Sequence, residues 1–250
     1  MNMADTLHVL AFEFYGVSES ADFAFLDELA ATGRVRRVDP VNDHLETQLS
    51  LAAQARVHVQ ALPTPPALVI AYCSCAALGA HVAALCEARL LLVDPDAVTD
   101  QGVRREFELL CRRLGAEPPS AQKHQRQWEL AFAASREPLA KLYGGDWKAF
   151  EMVDDLFDRY RAWLRFMDAC ATAGPAAPKN AVTVIARKPL TDLAALLAQP
   201  EDIRLRRVES DSATLDAPEI QELVLAEVRA TEPEKGAAGR ARAMPHRLRQ

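Results

Sequence analysis

Val69-Ile70-Ala71-Tyr72-Cys73-Ser74-Cys75-Ala76-Ala77-Leu78 is the stretch on which the reading of this chain turns. Residues 67–73 are almost wholly apolar, the pattern of a strand buried on both faces. From Cys75 to about Glu87 the alanines and leucines predict a helix. A strand that runs straight into a helix leaves a sharp corner, and Ser74 is read as sitting on it. A nucleophile there is lifted off the strand end, while the first helix amides and the positive end of the helix dipole face a developing oxyanion.

Outward from this corner, short apolar runs alternate with helical patterns. Strands are expected at 7–14, 34–38, 67–73 and 89–93, separated by helices at 22–32, from Asn42 or Asp43 onward, and after Cys75. Parallel strands need crossover connections, so this alternation predicts an α/β fold with a mainly parallel sheet covered by helices. Helices are expected at 104–114, 121–135 and 146–172, then a strand at 181–186, a helix at 190–198, a strand at 203–208 and a last helix at 218–229. An all-helical insertion at roughly 100–172 between sheet strands reads as a lid. Within it Phe157, Tyr160 and Trp163 recur at helical spacing with Leu156, Leu164 and Met167, a packing face. Residues 1–234 form the expected domain, and 235–250 a basic tail.

Composition limits the function classes. The 250 residues, 50% hydrophobic and 26% charged, suffice for a sizeable core and exclude global disorder. The net charge of −6 argues against a nucleic-acid module. The basic tail carries Lys235, Arg240, Arg242, Arg247 and Arg249, so the rest is more acidic still. No apolar run approaches the roughly 20 residues that span a bilayer, and residues 1–18 do not read as a secretory signal. Five cysteines, an odd number, are expected as free thiols in a reducing cytoplasm.

Cofactor signatures are weak. The turns after the first three strands lack a glycine-rich phosphate loop. Cys73, Cys75, His81 and Cys86 are soft ligands close in sequence, but a strand end and one helix send them in different directions, so no metal is expected. Asp154, Asp155 and Asp158 read as a solvated face beside Arg159, Arg161 and Arg165.

At Tyr72-Cys73-Ser74-Cys75-Ala76-Ala77 the chain resembles the α/β-hydrolase thioesterases of polyketide and nonribosomal-peptide assembly, standing where that family has Gly-x-Ser-x-Gly-Ala or Gly-Gly. Leu91-Leu92-Val93-Asp94 resembles the segment that supplies the triad acid, and Phe12-Glu13-Phe14-Tyr15-Gly16 lies where the first oxyanion loop would be. The resemblance covers about residues 7–230 and rests on element order. It implies an acyl hydrolase or acyltransferase in secondary-metabolite biosynthesis, with Ser74 as nucleophile, Asp94 as acid, and the backbone of Cys75 and Tyr15 holding the oxyanion. The substrate would be a small acyl group on the phosphopantetheine of an acyl- or peptidyl-carrier protein, with no cofactor of the chain's own.

Two departures stand out. Tyr72 and Ala76 replace the flanking glycines, and Ser212 stands where the family has its catalytic histidine. A serine hydroxyl has no near-neutral pKa and cannot act as the base. Three chemistries therefore remain: a serine enzyme with its base elsewhere, His81 among the candidates; a cysteine nucleophile, Cys73 or Cys75; and a non-catalytic protein that keeps a carrier- or acyl-binding surface.

Overall fold

A computed structural model describes residues 8–14, 23–42, 49–115, 124–187, 190, 193–198, 203–209, 215 and 217–231. Six strands, β1 (Val9–Phe12), β2 (Val35–Val38), β3 (Leu68–Tyr72), β4 (Arg89–Val93), β5 (Val182–Ala186) and β6 (Ile203–Arg207), pair in the order β2-β1-β3-β4-β5-β6. All five pairings are parallel. β1, β3 and β5 are buried throughout, which is why they read as continuous apolar runs.

Helices cover both faces. On one lie α2 (Leu51–Gln60), α3 (Ala76–Cys86), the end of α6 (Trp147–Thr172) and α7 (Leu193–Leu196), packed on Leu10, Phe12, Val69, Ala71, Leu90 and Leu92. The other face, Val9, Ala11, Ile70, Leu91 and Val93, meets Phe23, Leu26 and α8 (Pro218–Arg229). A third cluster belongs to the insertion between β4 and β5, formed by α4 (Asp100–Arg113), α5 (His124–Leu142) and α6 around Phe107, Trp128, Phe132 and Phe157. α6 reaches the sheet through Phe14, whose ring meets Trp163 edge-on at 4.7 Å.

Several expected boundaries move, for local reasons. The helix expected after Asn42 begins at Leu51, where the Ser50 hydroxyl accepts from the Ala53 amide; residues 43–48 lie outside the described set. The helix expected at 22–32 is a 3-10 turn at Ala24–Leu26 leading into a short α1, Asp27–Ala31. α4 starts four residues earlier than expected because Thr99 caps the Gly102 amide at 3.1 Å, and Asp146 caps α6 through Ala149 at 2.9 Å. α5 runs on past Pro138 to Leu142, although proline removes an interior amide. Pro218 opens α8, where no amide bond is lost.

Candidate active site

β3 stays extended through Tyr72, and the chain then turns at Cys73, whose φ is +50°. A 3-10 turn, Cys73–Cys75, leads into α3. For a residue with a Cβ the left-handed region costs about 1 kcal/mol, so the strain of the corner is carried by Cys73. The corner is therefore one residue earlier than the sequence reading placed it. Ser74 lies inside the turn, buried, with Oγ donating to Cys73 Sγ at 3.8 Å and its carbonyl accepting from Cys170 Sγ at 3.7 Å.

The shift also removes the difficulty posed by Tyr72 and Ala76. With Cys73 on the corner, the flanking positions two residues away are Ala71 and Cys75, both buried. The crowding at this corner is relieved from the helix. A Cβ built on Gly79 would stand 2.5 Å from the Ala71 Cβ, closer than two carbons can approach, so α3 lies against β3 only because residue 79 is glycine.

Burial pushes the Cys73 thiol above its usual pKa; the Ser74 side-chain and backbone hydrogen bonds oppose this, and the charges of Asp96 and Asp94 add to it. Cys75 is fully buried and its thiol lies well above the usual range, chiefly by desolvation. All five cysteines are free thiols. The Cys73 carbonyl accepts from the Asp96 amide at 3.2 Å, tying the corner to the loop after β4.

Asp94 follows β4 on the same edge of the sheet, also in the left-handed region at φ +43°. Its partner is not an imidazole. Oδ1 accepts the Arg187 amide at 2.9 Å, while Oδ2 accepts Arg187 Nε at 2.6 Å and pairs with Nη2 at 2.5 Å. Arg187 stands directly after β5, the neighbour of β4, so the parallel register brings the two together. Burial, and then the Cys73 charge, push the Tyr72 hydroxyl above its ordinary pKa, against the lowering influence of the Arg187 guanidinium. Tyr72, Cys73, Asp94 and Arg187 thus form one cluster, and Asp94 is held by a charge-assisted pair in which two guanidinium nitrogens meet Oδ2 while the backbone amide meets Oδ1.

The other expected residues fall as follows. Tyr15 and Ser212 lie outside the described residues, as does His44. His81 points its Nε2 at the Gly174 carbonyl, 3.1 Å away, two turns along α3 from the corner. His58 is buried with its ring edge-on to Phe12 at 5.1 Å. The sequence holds no histidine between His124 and His246, so the segment joining β6 to α8 cannot supply an imidazole. Among the described residues no three His, Cys, Asp or Glu side chains gather as a metal site.

Sequence reading missed Arg187 and two buried carboxylates on the same sheet edge. Glu13, fully buried after β1, accepts from the Phe23 amide and from Arg37 Nε. Asp39, buried after β2, accepts from the Val41 amide at 3.0 Å and faces Arg159 Nη2 of α6 at 3.7 Å. Both are charges at strand ends, where the C-terminal edge of a parallel sheet places its site. That position was the available signal. A cavity of about 260 Å³ opens beside α3, between the loop after β4, the end of α6 and α7, lined by Ala77, Val98, Asp100, Cys170, Ala173 and Leu196.

No profile of a known protein family matches the sequence, and no curated protein matches it. Solved structures do. The NocB thioesterase domain, determined as a covalent complex with a fluorophosphonate nocardicin G analog, matches with a TM-score of 0.55 at 15% identity, over 91% of this chain and 95% of that one. Holo-AB3403, a four-domain nonribosomal peptide synthetase bound to AMP and glycine, matches with a TM-score of 0.52 at 11% identity. That match takes in 92% of this chain and 20% of the synthetase. The chain has the α/β-hydrolase fold, in the form also found in the NocB thioesterase domain. Among the described residues no helix is long and apolar enough to cross a membrane.

Proposed function

We propose that this chain is a thioesterase-like acyltransferase in which Cys73 accepts an acyl group from a thioester on a carrier protein's phosphopantetheine. The observation that carries the reading is the left-handed corner at Cys73, between the end of β3 and the N-terminal turn of α3. In the exchange the Cys73 sulfur forms a bond to the acyl carbon, the pantetheine carbon–sulfur bond breaks, and the thiol proton passes to the departing sulfur. One thioester replaces another, so the step needs less driving force from a base than attack by a serine hydroxyl does. The Ser74 amide, at the start of the helix, is placed to face the oxyanion. This role passes from Cys75 to Ser74 with the shift of the corner, and Ser74 becomes a positioning residue. The cavity beside α3, whose lining mixes Ala77, Val98 and Leu196 with the polar Thr99 and Asp100, supplies a space for a small acyl group.

Release to water is expected to be slow, because the Asp94 carboxylate that would orient a base is occupied by Arg187. Acyl groups would therefore leave to a second thiol or amine acceptor rather than to water. The partner is an acyl- or peptidyl-carrier protein in a reducing compartment, and no cofactor is required. A second reading, a non-catalytic protein that binds a carrier or an acyl group, is favoured by the burial that keeps the Cys73 thiol protonated.

Incubation with an acyl-pantetheine thioester, followed by intact mass, tests both readings. One acyl adduct is expected on the wild type and on Ser74→Ala, none on Cys73→Ala, with transfer to added pantetheine faster than release of free acid. An adduct that survives Cys73→Ala and vanishes with Ser74→Ala returns the nucleophile to serine. Carrier binding with no adduct and no turnover establishes the non-catalytic reading.

A further inference from the structure

Between α5 and α6 the helical insertion turns through Lys141-Leu142-Tyr143-Gly144-Gly145-Asp146-Trp147-Lys148, where the pattern of a core is reversed. The largest apolar side chains face out: Leu142 is 80% exposed, Tyr143 58% and Trp147 69%. The small neighbours Ala140 and Ala149 are buried instead. Backbone bonds fix the turn. Gly144 and Gly145 take φ of +109° and +70°, a region glycine enters without strain, and the Gly145 amide donates to the Ala140 carbonyl at 2.8 Å. Asp146 then caps the Ala149 amide, so the last residue of α5 and the first of α6 stand together at one convex tip. Lys148 holds its ammonium 5.6 Å from the centre of the Trp147 ring, and Lys141 pairs with Glu137 at 2.7 Å. Of the three tryptophans, Trp128 is buried and Trp163 partly so; Trp147 alone is exposed.

We infer that this tip seats the protein on a zwitterionic lipid surface, with Leu142, Tyr143 and Trp147 entering the headgroup region. Tyrosine and tryptophan join an apolar body to one polar atom, the combination that rests where headgroups meet hydrocarbon. Their rings also attract a quaternary ammonium, and lysine stems let Lys141 and Lys148 reach lipid phosphate from the base of the tip. Charge selects a zwitterionic surface over an anionic one, since the chain carries −6 and the exposed Glu137 and Glu151 stand beside the tip. Area and shape set aside a second copy. The three side chains offer on the order of 400 Å², about half of what each partner gives to a standard protein interface, and a fluid surface closes around a convex tip as another convex tip cannot. Seating of this kind needs no membrane-spanning segment. The far end of α6 carries Cys170, whose Sγ meets the Ser74 carbonyl, and the helix between Trp147 and Cys170 is about 35 Å long. The tip is therefore separate from the chemistry at Cys73.

The test is flotation of the full chain with phosphatidylcholine vesicles, joined to quenching of tryptophan emission by brominated phosphatidylcholine. Saturable binding is expected, nearly unchanged at high salt, with emission quenched through Trp147. L142S/W147S should bind about tenfold more weakly or worse. Trp147→Phe should stay within about threefold of the wild-type affinity while losing most of the quenching. Both side chains are exposed, so circular dichroism of these variants should match the wild type. No flotation with phosphatidylcholine, binding that needs anionic vesicles or vanishes at high salt, or an L142S/W147S variant that floats as well as the wild type overturns the proposal. So does a dimer in sedimentation that L142S/W147S dissolves, which assigns the tip to a second copy.

Discussion

Cys73 and Gly79 carry the local chemistry of the corner. Burial raises the Cys73 thiol, so the folded state holds the protonated form more strongly than the unfolded chain does. The resulting stability is complete below the pKa of an unfolded cysteine, about 8.5, and is lost as pH climbs through the higher folded value. Alkylation of Cys73 by iodoacetamide, read by peptide mass, is therefore expected to reach half its maximal rate above pH 8.5. A midpoint on the acid side of free cysteine would show an activated thiolate instead. Gly79→Ala forces a methyl group into the Ala71 side chain and is expected to cost about 1–3 kcal/mol in urea unfolding. The double variant with Ala71→Gly should recover most of that loss, because the clash lies between those two carbons. Additive losses would place the strain elsewhere.

At the scale of elements, the ends of β4 and β5 are held together by Asp94 and Arg187, each less than a fifth exposed. Arg187→Ala leaves the carboxylate largely buried without its counter-ion and is expected to cost about 3 kcal/mol. Removing Asp94 as well should cost less than the two single losses added together. A loss of well under about 1 kcal/mol for Arg187→Ala would class the pair with exposed salt bridges. In the insertion, α5 and α6 are tied on their outer faces by Arg136 with Asp154, at 2.6 Å, and by Arg161 with Glu129. Asp158 stays on the exposed face with Arg161 of the same helix, as expected, while Asp154 pairs across to Arg136 of α5.

For the whole molecule, the three apolar clusters imply two levels of stability. Two of them clamp the sheet from its faces; the third belongs to the helical insertion. Phe157, buried against Phe132 at a ring separation of 4.8 Å, is central to that third cluster. Phe157→Ala is expected to cost about 3–5 kcal/mol, and hydrogen exchange should show the loss in α4, α5 and α6 while β1, β3 and β4 keep their protection. Equal loss in the strands would show that insertion and sheet unfold as one unit.

Chain pattern alone determined the alternation of strands and helices and hence the parallel sheet, because strands buried on both faces leave an unmistakable apolar run. β4 and α8 begin and end where that pattern puts them. The corner between residues 67–73 and the following helix was visible for the same reason, and so was Asp94 at the next strand end. Which residue takes the corner was not, since a positive φ is a property of the folded backbone, and the clue was the pair of small residues Ala71 and Cys75. Only the tertiary structure decided the partner of Asp94. Arg187 is distant in the chain and adjacent in the sheet, and the pairing of β4 with β5 converts that register into an ion pair.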